Sequence, residues 1–192
     1  MMSTVFKTIK TNKMNIQLKK VKINRTFSRE TIQFFAELHI NGKHIGFAEN
    51  DGQGGSTNYY RDFGVSNDSL VSMQMQTIKD AENYCKTLPS TFVGNIELNM
   101  DLQLYIDIII DNIFNQKELE AFEKKKIKAM SKGLVITKST NNNGFEVFQW
   151  KGHTIESLLK HPLGVDAIKK GIAKCISQGY TILNTNLPFN IA

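Results

Sequence analysis

Residues 32–48, with the sequence IQFFAELHINGKHIGFA, give the strongest local signal in this 192-residue chain. Every second residue from Ile32 to Ile40 is apolar, and a period of two is typical of a β-strand. The dipeptide Asn41-Gly42 accepts positive φ at both positions of a type I′ turn, which closes a two-residue hairpin. The predicted register pairs Ile40 with Lys43, Leu38 with Ile45, and Ala36 with Phe47. One face of this hairpin is therefore expected to be apolar and buried.

The other face of the predicted hairpin carries His39 opposite His44, with Glu37 nearby. Two imidazoles with Cβ atoms ~5 Å apart and a carboxylate are groups that Zn²⁺ accepts as ligands. No third His or Cys follows in the sequence at ligand spacing. A solvated sheet face is the favoured interpretation, so no metal site is predicted.

The elements around the hairpin define the fold class. A strand over 16–23 precedes it, and a phase slip at Lys19-Lys20 indicates a β-bulge. A strand over 58–63 follows it. The remaining pattern predicts a helix at about 78–88 and a second helix at 101–132 with a break near Asn115. A hairpin at 134–151, helices at 155–160 and 165–178, and a closing strand at 180–183 follow. This order predicts an α+β fold: a mostly antiparallel sheet built from two hairpins and packed with about four helices.

The predicted organisation is a mobile basic tail at residues 1–13 and a single α+β domain at 14–192. Within the domain, residues 14–68 are β-rich, 69–133 are helical, and 134–192 form a hairpin with helices.

The net charge of +6 comes from 24 basic and 18 acidic residues, and it is unevenly distributed. The first 30 residues hold eight basic residues and one acidic residue, a balance of +7. The other 162 residues therefore carry −1. A domain that binds nucleic acid over one folded face would spread its Lys and Arg over that face, so the charge describes one segment rather than the whole protein.

Composition excludes several classes of protein. Apolar residues make up 41% of the chain, which excludes global disorder and collagen-like structure. No apolar run reaches the ~18 residues of a membrane span, and residues 1–13 lack the apolar segment of a signal peptide. Cys85 and Cys175 are too few for a disulfide framework. These features predict a cytoplasmic protein that does not bind a membrane.

The Gly-rich loop at 51–57 is the most unusual local feature. Its backbone N–H groups are suited to form a phosphate-binding nest. However, the P-loop Lys is missing, and the loop leads into a strand where the dinucleotide fingerprint would open a helix. A bulged connection that needs positive φ is favoured, and a loop that contacts a ligand or partner is the alternative. The residues predicted to make such contacts are Asp51, Gly52, Gly54, Gly55, Ser56, Thr57, Tyr59, Tyr60 and Arg61.

Few residues point to catalysis. Asp107 and Asp111 lie four apart on one helix, and paired carboxylates can bind a metal or share a proton. A solvated helix face gives the same spacing and is favoured. Cys85 and Cys175 lack the context that activates a thiol, and the GxSxG and HExxH motifs are absent. Enzymatic activity stays open, a non-enzymatic protein is favoured, and no cofactor is predicted.

The basic N-terminus, the Gly-rich loop and exposed aromatic residues near basic ones support a second hypothesis, nucleic-acid or nucleotide binding. Bases stack on aromatic side chains while cations hold the phosphates. The residues that this hypothesis uses are Lys19, Lys20, Lys22, Arg25, Trp150 and Lys151.

Several strings resemble a group of small, uncharacterised proteins of tailed phages and bacterial mobile elements. They are NGK at 41–43, IG at 45–46, NDGQGGST at 50–57, YCKTLP at 84–89 and ILNTNL at 182–187. The resemblance spans about residues 19–187 and implies an origin rather than an activity. It favours an accessory protein that binds a host or defence factor in the bacterial cytoplasm.

Overall fold

The computed structural model describes residues 13–138, 144–189 and 191. The predicted tail at 1–13 lies, except for Lys13, outside the described residues, and so do residues 139–143 of the second hairpin loop. The described residues form nine strands and four helices. In chain order these are β1 (Ile16–Ile23), β2 (Phe34–Ile40), β3 (Lys43–Asn50), β4 (Asn58–Arg61), α1 (Asp68–Cys85), β5 (Thr91–Val93), β6 (Ile96–Leu98), α2 (Leu102–Met130), β7 (Gly133–Thr137), β8 (Glu146–Gln149), α3 (Ile155–Leu159), α4 (Pro162–Ser177) and β9 (Thr181–Ile182).

Antiparallel sheets and four helices confirm the predicted α+β class. The chain divides into two compact units, Met1–Asn115 and Gln116–Ala192, and the division falls within α2. The sequence predicts one domain over 14–192, whereas the structure groups the residues into two units with a core in each. The predicted break near Asn115 is wrong, because α2 is continuous through that position.

The first unit is built on a four-stranded antiparallel sheet in the order β1-β2-β3-β4. The inner face of this sheet packs against α1 and α2. The core consists of Ile16, Phe34, Ala36, Leu38, Ile40, Ile45 and Ala48 from the sheet and of Ala81, Cys85, Leu102, Ile106 and Ile110 from the helices. Each fully buried Leu or Ile side chain contributes about 1.5–3 kcal/mol, so this core fixes which face of the sheet points away from the helices.

The turn between β2 and β3 forms as its sequence predicts. Asn41 has a φ of 50° and Gly42 a φ of 79°, as a type I′ turn requires. Ile40 opposes Lys43, which confirms the predicted register beside the turn.

Further along the hairpin, the predicted register is wrong. The pairing shifts between Leu38 and His39, so that Leu38 opposes Gly46 and Ala36 opposes Ala48. Ile45 is the extra residue of a β-bulge, which changes the face on which every later residue of β3 lies. As a result Ala48 is buried in the core, and Phe47, which was expected there, lies on the outer face.

Backbone packing explains why the bulge in β3 lies at Ile45. A Cβ atom on Gly46 would overlap the backbone carbonyl oxygen of Tyr60. Strands β3 and β4 therefore approach each other at a point that only glycine allows. The bulge predicted in β1 is confirmed by a register shift between Lys19 and Lys22, where Lys20 has a φ of 49°.

The second unit has a three-stranded sheet in the order β8-β7-β9, and its β7–β8 pair confirms the second predicted hairpin. Its buried residues are Leu134, Ile136, Ile155, Leu158, Ile168, Ile172, Cys175 and Ile191. Thr154 begins α3 with a capping box that it forms with Ser157.

A small sheet of β5 and β6 also belongs to the first unit, and the sequence pattern did not predict it. Phe92 of this hairpin is 68% exposed.

Candidate functional site

Aromatic rings cross the outer face of the four-stranded sheet, opposite the core. Phe35 of β2 stacks on Phe47 of β3, with ring centroids 5.3 Å apart. Tyr60 of β4 lies 6.1 Å from Phe47 and 5.6 Å from Phe63. These separations are typical of favourable aromatic pairs. Phe35, Phe47, Tyr60 and Phe63 are called the aromatic band below.

The band leaves large apolar side chains exposed at both ends. Phe35 is 39% exposed and Phe63 is 68% exposed, while Phe47 and Tyr60 between them are half-buried. The guanidinium carbon of Arg61 lies 4.8 Å from the centroid of the Phe63 ring, which places a cation on that ring. Exposed, rigid aromatic rings beside a cation are typical of binding surfaces.

The bulge at Ile45 creates this band, because it moves Phe47 out of the core and onto the face of Phe35. Sequence reasoning missed the band for this reason. One available signal was Gly46 inside a strand, since glycine within a strand often marks a bulge or a close backbone approach.

A groove of about 680 Å³ opens beside the band, at the end of the sheet where the Gly-rich loop begins. The strand register places Lys22, Phe35, Glu49 and Asn58 in one row across the four strands. Phe35 belongs to both the groove and the band. The groove is lined by Lys22, Ile23, Asn24, Gln33, Phe34, Phe35, Glu49, Asn50, Asp51, Gly55, Ser56 and Asn58.

Asn50 organises the Gly-rich loop from inside. Its buried side-chain oxygen accepts hydrogen bonds from the Gly52 N–H at 2.8 Å and the Thr31 hydroxyl at 2.7 Å. Its amide nitrogen donates to the Gly55 carbonyl at 2.9 Å and to the Thr57 hydroxyl oxygen at 3.2 Å. One side chain therefore fixes both ends of the loop.

The loop does not form the phosphate nest that its glycines suggested. Its N–H groups at Gly52, Gln53 and Gly54 donate to side-chain oxygens of Asn50, Asp51 and Thr31, respectively. N–H groups engaged in this way are not free to bind an anion. Gly52 and Gly54 have φ values of 80° and 89°, which matches the favoured interpretation of a bulged connection with positive φ.

Asp107 anchors the loop to α2. The sequence favoured a solvated helix face for Asp107 and Asp111. Its half-buried carboxylate accepts a hydrogen bond from the Thr57 hydroxyl. Burial raises the pKa of Asp107, and the Thr57 hydrogen bond opposes that rise. Burial also raises the pKa of Asp111. The hydrogen bond between Thr57 and Asp107 therefore has a structural role, because it holds the loop on α2.

The predicted contact residues after the loop separate onto two faces. Tyr60 lies in the band, where burial first and the Glu49 carboxylate second raise its pKa. Tyr59 packs against the core instead, and its hydroxyl donates to the Glu82 carboxylate at 2.9 Å. Burial and this carboxylate raise the pKa of Tyr59. Alternation along β4 therefore removes Tyr59 from the surface predicted for it.

His39 and His44 lie within the outer face with ring centroids 5.2 Å apart. His39 Nε2 lies 3.3 Å from a Glu37 oxygen, and His44 Nδ1 lies 3.6 Å from an Asp62 oxygen. His44 also packs edge-on against Phe47. Both rings are half-buried on this outer face. Within residues 13–138, 144–189 and 191, no group of three or more His, Cys, Asp or Glu residues is placed to hold a metal ion.

The residues of the nucleic-acid hypothesis belong to both units, with Lys19, Lys20, Lys22 and Arg25 in the first and Trp150 and Lys151 in the second. Lys19, Lys20 and Lys22 are exposed on β1, at one edge of the sheet. The Lys20 ammonium contacts a Glu37 oxygen at 2.8 Å, and hydrogen bonds from Lys20 and His39 lower the pKa of Glu37. The guanidinium carbon of Arg25 lies 5.8 Å from the centroid of the Phe114 ring.

Trp150 and Lys151 belong to the second unit. The Trp150 ring packs on α4, where a Cβ on Gly171 would lie 2.7 Å from Trp150 Cζ2. It also makes an edge contact with Phe148, with ring centroids 5.1 Å apart. Trp150 is thus part of a core rather than an exposed stacking platform, whereas Lys151 is exposed.

Both cysteines are buried. Burial raises the pKa of the Cys85 thiol to about 11 and also raises the pKa of the Cys175 thiol. Thiols of this kind are protonated near neutral pH and are poor nucleophiles.

Comparison with protein-family models, with curated proteins and with solved structures finds no match to this chain. In the part of the chain that the structure describes, no helix has the length and apolar composition needed to cross a bilayer.

Proposed function

We propose that this chain is a non-enzymatic binding protein, and that the aromatic band with the adjoining groove is its binding surface. The observation that carries the proposal is the placement of Phe35, Phe47, Tyr60 and Phe63 on the sheet face opposite the core. A folded chain gains stability by turning large apolar rings inward. Rings that remain on the outer face, and that touch one another, are better explained by a partner.

Aromatic side chains are enriched among the residues that dominate binding energy, since they bury a large area at a small cost in conformational freedom. In the band, ring-to-ring contacts already restrict Phe35 and Phe63 before a partner arrives. A surface that is ordered in advance loses less entropy on binding.

The carboxylates, imidazoles and thiol that could take part in catalysis make structural contacts instead, which supports binding over catalysis. Asp107 holds Thr57, and the carboxylates of Glu37 and Asp62 lie beside the two imidazoles of the outer face. The raised pKa of the Cys85 thiol, about 11, keeps it protonated.

As to the biological role, we propose an accessory protein of a phage or mobile element that binds a host or defence factor in the bacterial cytoplasm. The strings NGK at 41–43 and NDGQGGST at 50–57 support this origin. They frame β3 and lead into β4, so they build the scaffold that presents the band.

The test is affinity capture from bacterial lysate with the wild type, Phe63→Ala and Phe92→Ala. Phe63 and Phe92 are both 68% exposed, so the two variants remove equally exposed rings, one in the band and one on the β5–β6 hairpin. We expect Phe92→Ala to recover the same protein as the wild type, and Phe63→Ala to lose it. Circular dichroism confirms that both variants fold. Equal recovery by both variants rejects the band as the binding surface.

A further inference from the structure

We propose that the groove beside the aromatic band binds a nucleotide unit, an aromatic base with its phosphate. This inference rests on the proposed function, because it assigns a small ligand to the groove of the proposed binding surface, beside the band that the proposed partner contacts. The groove volume of about 680 Å³ falls in the range of roughly 300–1,000 Å³ that small-molecule sites occupy. It therefore has room for one nucleotide, with the band extending away from it.

Phe35 provides the platform for the base. Its ring lines the groove, is 39% exposed, and is supported from the side of the band by the stacked ring of Phe47. A ring held by a neighbour keeps a fixed orientation, which suits stacking by a planar base. Loss of such a platform weakens binding by roughly 5- to 150-fold per base.

Lys22 provides the charge for the phosphate. It lies directly across from Phe35 in the β1–β2 register and lines the same groove. In the described part of the chain, no hydrogen bond or ion pair engages its ammonium group, whereas neighbouring Lys20 is held by Glu37. An exposed, uncommitted Lys beside an aromatic platform is the arrangement that holds a base and its phosphate together. Lys19 lies further along the same exposed edge.

Polar groups at the opposite side of the groove match the edge of a base. The carboxylates of Glu49 and Asp51 and the carboxamide of Asn58 line this side. Carboxylates repel a phosphate but accept hydrogen bonds from the amino groups of cytosine, adenine or guanine. The phosphate is therefore expected at Lys22 and the base edge at Glu49. This orientation predicts a preference for bases that carry an amino group over thymine or uracil.

Gln33 adds a group whose hydrogen-bonding capacity is not used. Its carboxamide lines the groove, and its side-chain oxygen is buried without a hydrogen-bond partner among the described residues. Unsatisfied polar groups are uncommon in native structures. A side-chain rotation that brings this carboxamide to a ligand would satisfy it.

The experiment separates the two sources of a nucleotide unit, a free mononucleotide and a single strand. Fluorescence anisotropy measures binding of labelled (dC)10 and (dT)10 at 50 mM and 300 mM salt, and calorimetry measures binding of CMP. We expect (dC)10 to bind more tightly than (dT)10, with binding weakened by salt. Tight binding of CMP alone, with no gain from the longer chain, identifies a mononucleotide as the ligand.

Paired variants test the position of the site. Phe35→Leu keeps an apolar side chain and removes the ring, and we expect it to weaken binding roughly 5- to 150-fold, whereas Phe35→Tyr retains binding. Lys22→Gln is expected to weaken binding and to flatten its salt dependence. Lys43→Gln is the control, because Lys43 is an exposed Lys at the opposite, turn end of the same sheet.

The outcomes separate this inference from the proposed function. If neither CMP nor either oligonucleotide binds at 50 mM salt, the nucleotide inference is rejected. The proposed function then stands or falls by the Phe63→Ala capture experiment. If an oligonucleotide binds equally to the wild type, Phe35→Leu and Lys22→Gln, the groove is not the site, and the inference is also rejected.

Discussion

Asn50→Ala tests whether one buried side chain holds the Gly-rich loop against the sheet. Asn50 makes four hydrogen bonds through its carboxamide, to Thr31, Gly52, Gly55 and Thr57. A hydrogen bond contributes about 0.5–1.5 kcal/mol net, and buried partners left unpaired cost more. Water will reach the exposed Gly55 but not the buried Gly52 and Thr57. We therefore expect a loss of about 2–4 kcal/mol in the free energy of unfolding.

Urea unfolding followed by circular dichroism measures this loss. With a urea m-value near 2 kcal/mol/M, the midpoint of the transition that reports the first unit shifts by about 1–2 M. Asn50→Asp keeps the two accepted hydrogen bonds, but it loses the two donated ones and buries a charged oxygen against the Gly55 carbonyl oxygen, so its loss should be at least as large as that of Asn50→Ala. Asn58→Ala removes an exposed Asn a few residues away and should change stability by less than about 0.5 kcal/mol. A loss below about 1 kcal/mol for Asn50→Ala refutes the reasoning.

Three further predictions concern the loop and the buried groups around it. Gly54→Ala should lower the free energy of unfolding in urea by roughly 1–3 kcal/mol, because the φ of Gly54 is 89° and a Cβ would meet the Glu30 carboxylate. Gly55→Ala should be nearly neutral. Equal losses for the two variants would contradict the loop geometry. Burial raises the pKa of Asp107 above 3.8, so stability from this group is present below pH 3.8 and is lost as the pH rises through the folded pKa. Asp107→Asn should therefore gain stability relative to the wild type as the pH rises from 4 to 7, and a constant difference would argue against this assignment. With a pKa of about 11, the buried Cys85 thiol should resist a disulfide reagent at pH 8 until urea unfolds the chain; rapid labelling of the native protein would show otherwise.

Local chemistry made the first hairpin predictable. Asn41-Gly42 determines its own turn, because both residues accept positive φ whatever surrounds them. The bulge at Lys19-Lys20 was also predictable, since it leaves a phase slip in the apolar pattern. Both signals lie within a few residues of the feature that they predict.

The bulge at Ile45 was not predictable in this way, and it decides the candidate site. Ile45 and Phe47 fit an unbroken alternation, so the apolar pattern alone places both in the core. The shift depends on the close approach of β4 at Gly46, which is a tertiary contact. The Thr57–Asp107 hydrogen bond joins residues 50 positions apart and leaves no local pattern either.

Alternation in a strand places the adjacent residues Tyr59 and Tyr60 on opposite faces. Which of them packs against the core depends on tertiary contacts, and the structure shows that Tyr59 does so while Tyr60 lies in the band. Trp150 packs against Gly171, a helix residue 21 positions away whose missing side chain makes room for the ring.

The most direct test of the groove as a nucleotide site is an amide NMR titration of the isotope-labelled protein with (dC)10. We predict that the largest shift changes fall on Lys22, Phe35, Phe47 and Tyr60, which share the outer face with the groove. Lys43, at the turn end of the same sheet, should change little. Shift changes concentrated around Trp150 and Lys151, or no changes at 50 mM salt, would contradict the assignment of the groove as a nucleotide-binding site.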